Sequence, residues 1–381
     1  MNRIAFVIPT IDYIGGAERQ VLLLAKGLAR RNWQVSVVAL SGLGGIASEE
    51  LSKAGIGFFS LQMHKGLADP RGWWRFHRWL RSNRPDVVHA HMPHAAWFAR
   101  WSRLFVHRCI VVDTIHTSAI GTKGRQIGYR FSDWLTDRVT AVSAGAADAY
   151  VSAGMVSGEH ITVLPNGVDT QVWQPDASMR DTVRNELCLT DEFLWLAVGR
   201  LQPVKDYPTL LHAFAAIREP ARLVIAGNGA LESSLHCLTK ELDIGNRVHF
   251  LGFTADVRRW MQAADGFVLS SLWEGLPMAV LEATSCALPA VGTDVSGTRE
   301  IILHERTGLL APPADVANLA VAMTRLMQIP IDVREAMGKW ARRLISERYS
   351  LESVLDEWES LYAELLQECL AVPVSKHIYR V

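Results

Sequence analysis

Gly266-Phe-Val-Leu-Ser-Ser-Leu-Trp-Glu274-Gly-Leu-Pro-Met-Ala-Val-Leu-Glu282 reads as a strand, a loop and the start of a helix. Gly266–Ser270 is a short apolar run of the kind that sits buried in a parallel sheet. Pro277 suits the first turn of a helix, where its missing N–H costs nothing. Met278 to Ala287 continues as that helix, so Glu274 lies in the loop and Glu282 about a turn and a half into the helix. If helical throughout, eight residues would span ~12 Å, the reach of a nucleotide-sugar from ribose to hexose. One carboxylate would accept hydrogen bonds from sugar hydroxyls and the other from ribose hydroxyls. Unpaired N–H groups at the helix start would meet the diphosphate. Two glutamates near a helix start also complement its dipole, so the pair alone decides nothing.

Outward from this stretch, both halves alternate short β-rich runs with helical patterns, as parallel α/β sheets do. The first half offers Ile4–Ile8, Val35–Leu40, Asp86–His89, Ile110–Ile115, Val139–Val142 and Ile161–Leu164. The second offers Phe193–Val198, Arg222–Ala226, Val248–Leu251, Phe267–Leu269 and Leu288–Val291. The halves part near Pro165-Asn-Gly-Val-Asp169 and the polar stretch Gln174 to Thr190. The expected domains are 1–170 and 190–348. A last helix, Leu351–Leu366 with Ser350 as N-cap, carries Leu351, Leu355, Trp358, Tyr362 and Leu365 at helical spacing.

The 381 residues suffice for two full cores. Lys+Arg and Asp+Glu both number 39, yet residues 1–168 hold 19 cations against 11 anions and the remainder 20 against 28. Such asymmetry implies different partners for the two domains. Cys109, Cys188, Cys237, Cys286 and Cys369 are scattered and form no C-x-x-C, which fits a reducing cytoplasm. The opening apolar run is too short for a signal peptide, and no run approaches 18 apolar residues.

Other candidate residues follow strands, where parallel-sheet proteins bind ligands. Ile14-Gly15-Gly16-Ala17-Glu18 follows the first strand and suits close approach to anionic oxygens. Gly199-Arg200-Leu-Gln-Pro-Val-Lys205 sets two cations five residues apart, spaced to clamp a diphosphate. Ala226-Gly-Asn228-Gly-Ala230 and Gly252-Phe-Thr-Ala-Asp-Val257 are further turns after strands.

Taken in order, Gly15-Gly16-Ala17-Glu18-Arg19, Val88-His-Ala-His91, Ile115-His116, Val142-Ser143, Pro165-Asn-Gly-Val-Asp169, Gly199-Arg200-Leu201…Lys205, Glu274-Gly275-Leu276-Pro277…Glu282-Ala283 and Thr307-Gly-Leu-Leu310 resemble the family 4 retaining glycosyltransferases. The set spans most of the chain. The resemblance implies the GT-B fold, two Rossmann-like domains facing a central cleft, with the helix from 351 to 381 packing back on the first. It implies that Arg200 and Lys205 hold the leaving diphosphate. Glu282 would bind ribose, Glu274 the donor-sugar hydroxyls and Gly16 the phosphates. Gly15, Asn228, Gly275, Leu276 and Pro277 would complete the donor site. His116 would lie near the reacting centre, with His91, His94 and Ser143 on the acceptor side. One departure is Val295-Ser-Gly-Thr-Arg-Glu300, where many relatives have Pro before the Glu.

The chain has no D-x-D pair, so no metal and no cofactor is expected. The cations and the helix start would take the metal's place. His89, His91 and His94 raise a zinc site, but no nearby Cys completes a ligand set. The expected reaction moves a hexosyl unit from a nucleotide-diphosphate sugar, UDP before GDP, to a glycan or polyprenyl-diphosphate-linked acceptor. Such a reaction would serve cell-surface polysaccharide or glycolipid assembly. A GT-B nucleotide-sugar epimerase and a non-catalytic nucleotide-sugar- or membrane-binding protein are the alternatives.

Arg71-Gly-Trp-Trp-Arg-Phe-His-Arg-Trp-Leu-Arg-Ser-Asn-Arg84 sets Trp73, Phe76, Trp79 and Leu80 on one arc of a helix. Arg71, Arg75, Arg78 and Arg81 form the other, with Trp74 among them. Trp97, Phe98, Arg100, Trp101 and Arg103 make a second patch. Two readings stand: a core-facing stripe with a solvated basic face, or contact of 71–84 and 97–103 with an anionic membrane. The second would put a cytoplasmic protein on the inner face of the membrane. No nucleic-acid motif accompanies the basic residues.

Overall fold

The computed structural model describes residues 2–13, 15–64, 69–105, 109–254 and 256–371. Ile14, Ala255 and 372–381, named above, lie outside them. The chain forms two compact units. One takes the residues through Gly167 together with those from Leu351 onward, and the other is Val168–Ser350.

The first unit runs β1 (Arg3–Ile8), α1 (Gly16–Arg30), β2 (Gln34–Ala39), α2 (Gly45–Lys53), β3 (Gly57–Ser60), α3 (Pro70–Asn83), β4 (Val87–His91), α4 (Pro93–Ser102), β5 (Ile110–Ile115), α5 (Lys123–Ser132), β6 (Arg138–Ala141), α6 (Ala144–Ser152) and β7 (Ile161–Val163). Its strands pair in parallel in the order β3-β2-β1-β4-β5-β6-β7. The second runs α7 (Ala177–Glu186), β8 (Phe193–Val198), α8 (Tyr207–Ala215), β9 (Ala221–Ala226), α9 (Glu232–Glu241), β10 (Val248–Gly252), α10 (Val257–Ala263), β11 (Gly266–Leu269), α11 (Met278–Ser285), β12 (Ala290–Thr293), α12 (Ser296–Ile301), β13 (Gly308–Ala311), α13 (Val316–Gln328) and α14 (Ile331–Arg348). Its order is β10-β9-β8-β11-β12-β13, also parallel. The winding reverses between β1 and β4, and again between β8 and β11. At such points the loops diverge and leave a crevice at the strands' carboxyl ends.

The edge strands β3 and β13 were not among the expected strands, and the polar stretch Gln174 to Thr190 contains α7. That helix buries only Val183. It is held by Arg180 and Arg184, which both pair with Asp265. Pro277 sits at the N-cap of α11, one residue before the first turn, with ψ 112°.

The last helix, α15 (Leu351–Ala371), belongs to the first unit. It buries Leu351, Val354, Leu355, Trp358, Leu361, Tyr362 and Leu365 along one stripe. That stripe meets Ile4, Phe6, Ile8 and Leu28. Each such side chain contributes roughly 1.5–3 kcal/mol when fully buried. Arg31 binds Glu352 and Asp356 at 2.6 Å and Glu359 at 2.8 Å, and Trp33 Nε1 donates to Glu359 at 2.7 Å.

On the opposite face of the same sheet, α3 and α4 bury Phe76, Leu80 and Phe98 with Val7, Val88 and Val111. Trp73 packs on Phe98, with ring centroids 4.2 Å apart, and Trp79 stacks on Phe59. The apolar arc of 71–84 is therefore core, not a lipid-facing surface. The patch at 97–103 divides: Trp97 is exposed, but Phe98 and Arg100 are buried. Arg100 is fully buried and binds Asp113 through Nε at 2.9 Å and Nη2 at 3.1 Å. Arg103 pairs with Asp137. A buried guanidinium needs a partner anion, and Asp113 on β5 supplies it. Among the described residues no helix is long and apolar enough to cross a membrane.

Candidate functional site

Of the residues expected to bind the donor, Gly15 and Gly16 lie on the first unit and the rest on the second. β8 delivers Gly199, Arg200 and Lys205, and β11 delivers Glu274, so both loops leave the sheet at its reversal point. The loops are stitched together. Leu272 N–H donates to Val204 O at 2.8 Å, and Ser270 Oγ donates to Lys205 O at 2.7 Å. Tyr207 Oη donates to Gly199 O at 3.1 Å. This stitching brings Lys205 Nζ to Glu274 Oε1 at 2.5 Å, an oxygen that also accepts from Ser271 Oγ at 2.6 Å. The Lys205 and Glu274 side chains are only 20% and 13% exposed, so solvent screens their attraction weakly.

Glu282, buried on α11, follows from the same turn. Gly275, Leu276 and Pro277 are buried between the two glutamates. Ser296 Oγ donates to Glu274 O at 3.3 Å. Gly297 is obligatory there, because a Cβ would meet Gly275 O at 1.8 Å. Gly227, with φ 144°, lies so close to Gly199 that a Cβ would approach its carbonyl oxygen to 2.0 Å. Asn228 is exposed beside it, and its carbonyl accepts from Leu201 N–H at 2.9 Å. Arg200 is exposed and makes no ion pair among the described residues.

Ser270, Ser271, Tyr207, Ser296 and Gly297 were not among the residues singled out from sequence. Ser270 and Ser271 lie four and three residues before Glu274 and could have been noticed. Tyr207 and Gly297 act through backbone approaches that leave no local signature.

The acceptor-side candidates lie on the first unit. His91 ends β4 and His116 follows β5, and His91 Nδ1 lies 2.8 Å from His116 Nε2. His91 is fully buried and His116 half-buried. Burial lowers the His116 pKa from 6.5 to about 4. Burial, then the charges of His89 and His116, push His91 well below its ordinary value. Both imidazoles are therefore neutral near pH 7. His91 Nε2 has no hydrogen-bond partner among the described residues.

His89 belongs to the interior. Thr140 Oγ1 donates to Asp113 O at 3.3 Å, so the 2.7 Å contact of Thr114 with Thr140 takes its proton from Thr114. Thr114 then accepts from His89 Nε2–H at 2.7 Å, and His89 Nδ1 accepts from Tyr362 Oη–H at 2.7 Å. Both ring nitrogens are thus engaged within the core. Among the described residues no three His, Cys, Asp or Glu side chains gather as a metal site.

His94 is exposed on the first turn of α4 and takes no part in the His91–His116 bond. Ser143 is fully buried and caps α6, its oxygen accepting from Ala146 N–H at 3.2 Å. Gly15 caps α1, and its N–H donates to Glu18 Oε2 at 3.0 Å. Gly16 is exposed at the first position of that helix.

Two family models match the chain: Glycosyltransferase Family 4 over residues 14–172 and Glycosyl transferases group 1 over residues 179–344. Among curated proteins the chain is similar to the UDP-Gal:alpha-D-GlcNAc-diphosphoundecaprenol alpha-1,3-galactosyltransferase of Escherichia coli. The two are 26% identical over 314 residues, 79% of this chain and 81% of the relative. Among solved structures it is similar to Anabaena HepE in complex with UDP and glucose. That match has a TM-score of 0.83 and 21% identity, over 96% of this chain and 100% of that one. Sucrose-phosphate synthase from Thermosynechococcus elongatus matches with a TM-score of 0.86 and 21% identity, over 97% and 100%. With two parallel α/β sheets, these matches establish the GT-B fold.

Proposed function

The chain belongs to the group 1, family 4 glycosyltransferases, and from that membership we propose that it transfers a hexosyl unit from a UDP-sugar with retention of anomeric configuration. The carrying observation is the clustering of Lys205, Glu274 and Ser271 at the reversal point of the second sheet, with Glu282 eight residues on. Lys205 and Arg200 hold the diphosphate, Glu274 accepts from sugar hydroxyls, and Glu282 accepts from the ribose.

As the glycosidic carbon–oxygen bond breaks, negative charge grows on the departing diphosphate while the sugar becomes oxocarbenium-like. Fixed cations and the start of α11 stabilise that charge more than they stabilise the bound donor. The acceptor hydroxyl attacks the same face, and its proton passes to the leaving phosphate oxygen. Neutral His116, oriented by His91, contacts the acceptor hydroxyl. Because the chain lacks D-x-D, the reaction proceeds without a divalent metal.

The acceptor is a glycan or a polyprenyl-diphosphate-linked sugar, in cell-surface polysaccharide or glycolipid assembly. The Escherichia coli relative, whose name specifies UDP-Gal and a diphosphoundecaprenol acceptor, supports both choices. HepE, solved with UDP, supports the base. Such an acceptor calls for peripheral contact of the basic first unit with an anionic membrane on its cytoplasmic face.

The test is thermal unfolding in chelator with UDP, GDP or ADP, since a ligand of the folded state raises its stability by mass action. A shift with UDP that Glu282→Ala abolishes and Arg200→Ala weakens is expected. No shift with any nucleotide would remove the donor assignment. Donor epimerised without acceptor would make the chain an isomerase.

A further inference from the structure

The helices α3, α4 and α5 lie on one face of the first unit's sheet, packed over the same core. Their sequences contain no Asp or Glu, and they hold Arg71, Arg75, Arg78, Arg81, Arg100, Lys123, Arg125 and Arg130. Arg71, Arg78, Arg81, Lys123 and Arg130 are exposed. Within 71–84 Trp74 stands outward, 62% exposed, and further exposed apolar side chains lie on α4 and α5. Ile127 and Phe131 lie one turn apart on α5, 56% and 70% exposed. Trp134 follows at 49%, its Nε1 donating to Phe131 O at 2.9 Å. Trp97 of α4 is 48% exposed and reaches this group, since a Cβ on Gly128 would lie 3.6 Å from its Nε1.

Four large apolar side chains thus stand outward together, two of them tryptophans, beside the exposed Lys123 and Arg130, while the neighbouring Asp133 is turned to His160 and only 20% exposed. Scattered exposed apolar residues need no explanation, but a cluster of this size does. Tryptophan with lysine and arginine is the composition that seats a surface in lipid headgroups. Helices α3 and α5 add exposed cations, and none of α3, α4 and α5 holds an acid, a charge complement to lipid phosphates.

We propose that Trp97, Ile127, Phe131 and Trp134 form the plate by which this enzyme sits on an anionic bilayer, flanked by Lys123 and Arg130. This rests on the membrane contact proposed above and centres its apolar component on the α4–α5 surface, with Trp74 of 71–84 also exposed. Apolar side chains enter the headgroup region, and the cations answer the lipid phosphates. The exposed Arg71, Arg78 and Arg81 of α3 add to the attraction without inserting.

The test is flotation of the full-length protein with vesicles of phosphatidylcholine alone, or with one third phosphatidylglycerol, at low and high salt. Wild type should float with the anionic vesicles at low salt and lose most of that binding at high salt. Phe131→Ser with Trp134→Ser should weaken it ~tenfold or more. Lys123→Ala and Arg130→Ala should each weaken it roughly fivefold. Unchanged thermal unfolding of the variants and unchanged UDP binding separate surface loss from misfolding.

Wild-type binding that survives Phe131→Ser with Trp134→Ser would overturn the plate and leave the membrane contact standing. No wild-type binding at low salt, or equal binding to neutral vesicles, would overturn both. A wild-type dimer in light scattering that the same double substitution splits would assign the plate to a second copy of this chain instead.

Discussion

Glu274→Gln should make UDP bind more tightly while making the enzyme worse. In the unliganded site Lys205 gives one hydrogen bond to Glu274 at 2.5 Å, within a loop junction where both side chains are mostly shielded. A diphosphate entering that site competes with the carboxylate for the ammonium and is repelled by it. A charge-assisted hydrogen bond contributes about 1.5–3 kcal/mol. Lys205 has three donors and keeps part of the pair on binding, so the lower half of that range applies. At about 1.4 kcal/mol per factor of ten, UDP should bind roughly 10–40-fold tighter to the glutamine variant. The sugar-bearing donor should gain less, because the amide accepts from its hydroxyls less strongly than a carboxylate. Turnover should fall. Titration calorimetry at fixed ionic strength, in chelator, measures both ligands. The cycle closes with Lys205→Met, in which the gain from Glu274→Gln should shrink to the part that comes from removed repulsion. UDP affinity that is unchanged or lower in Glu274→Gln would show that the pair does not gate the diphosphate, and the donor assignment of Lys205 would fall with it.

Asp113→Ala should destabilise the first unit by about 3–5 kcal/mol in urea unfolding, because it strands the Arg100 guanidinium in the core; a loss under ~1 kcal/mol would mean that Arg100 reaches water. Stability should also fall on acidification. His89, His91 and His116 are all held below 6.5, chiefly by burial, so the unfolded chain takes up more protons and stability drops from about pH 6.5 down through the folded-state pKa values. The His116 change, from 6.5 to about 4, is worth at most about 3 kcal/mol. His116→Asn should flatten that part of the profile, and an unaltered slope would contradict a neutral buried ring. Activity should persist in excess chelator; loss of activity restored by Mg²⁺ or Mn²⁺ would overturn the metal-free reaction.

Central strands were legible because burial on both faces leaves continuous apolar runs, as in Phe193–Val198. Gly57–Ser60 and Gly308–Ala311 were missed because four residues at a sheet edge show neither length nor period. Helix α7 was missed because its hold on the unit comes from Arg180 and Arg184 gripping Asp265, an ionic contact with no hydrophobic pattern. The placement of Lys205 and Glu274 in loops after strands, and of Glu282 on the following helix, was readable from the spacing. Their mutual contact was not, because it depends on Ser270 and Leu272 bonding across from one loop to another. Arg100 was misread for a related reason: a helical wheel shows which side a residue faces, not that Asp113 waits there.

The first unit closes with residues that come last in the chain. Gly167 and Leu351 are separated by the whole second unit, which is contiguous and contains its own sheet. On a ribosome adding about 5–20 residues per second, synthesis from Gly167 to the end of α15 takes roughly 10–40 s. Throughout that interval the nascent first sheet has an uncovered apolar groove over Ile4, Phe6 and Ile8, and His89 lacks the Tyr362 hydroxyl that completes its bonding. The later-made second unit can therefore finish folding before the earlier-made first one. A chain stopped near Ser350 would release an intact second unit joined to an open, chaperone-dependent remainder.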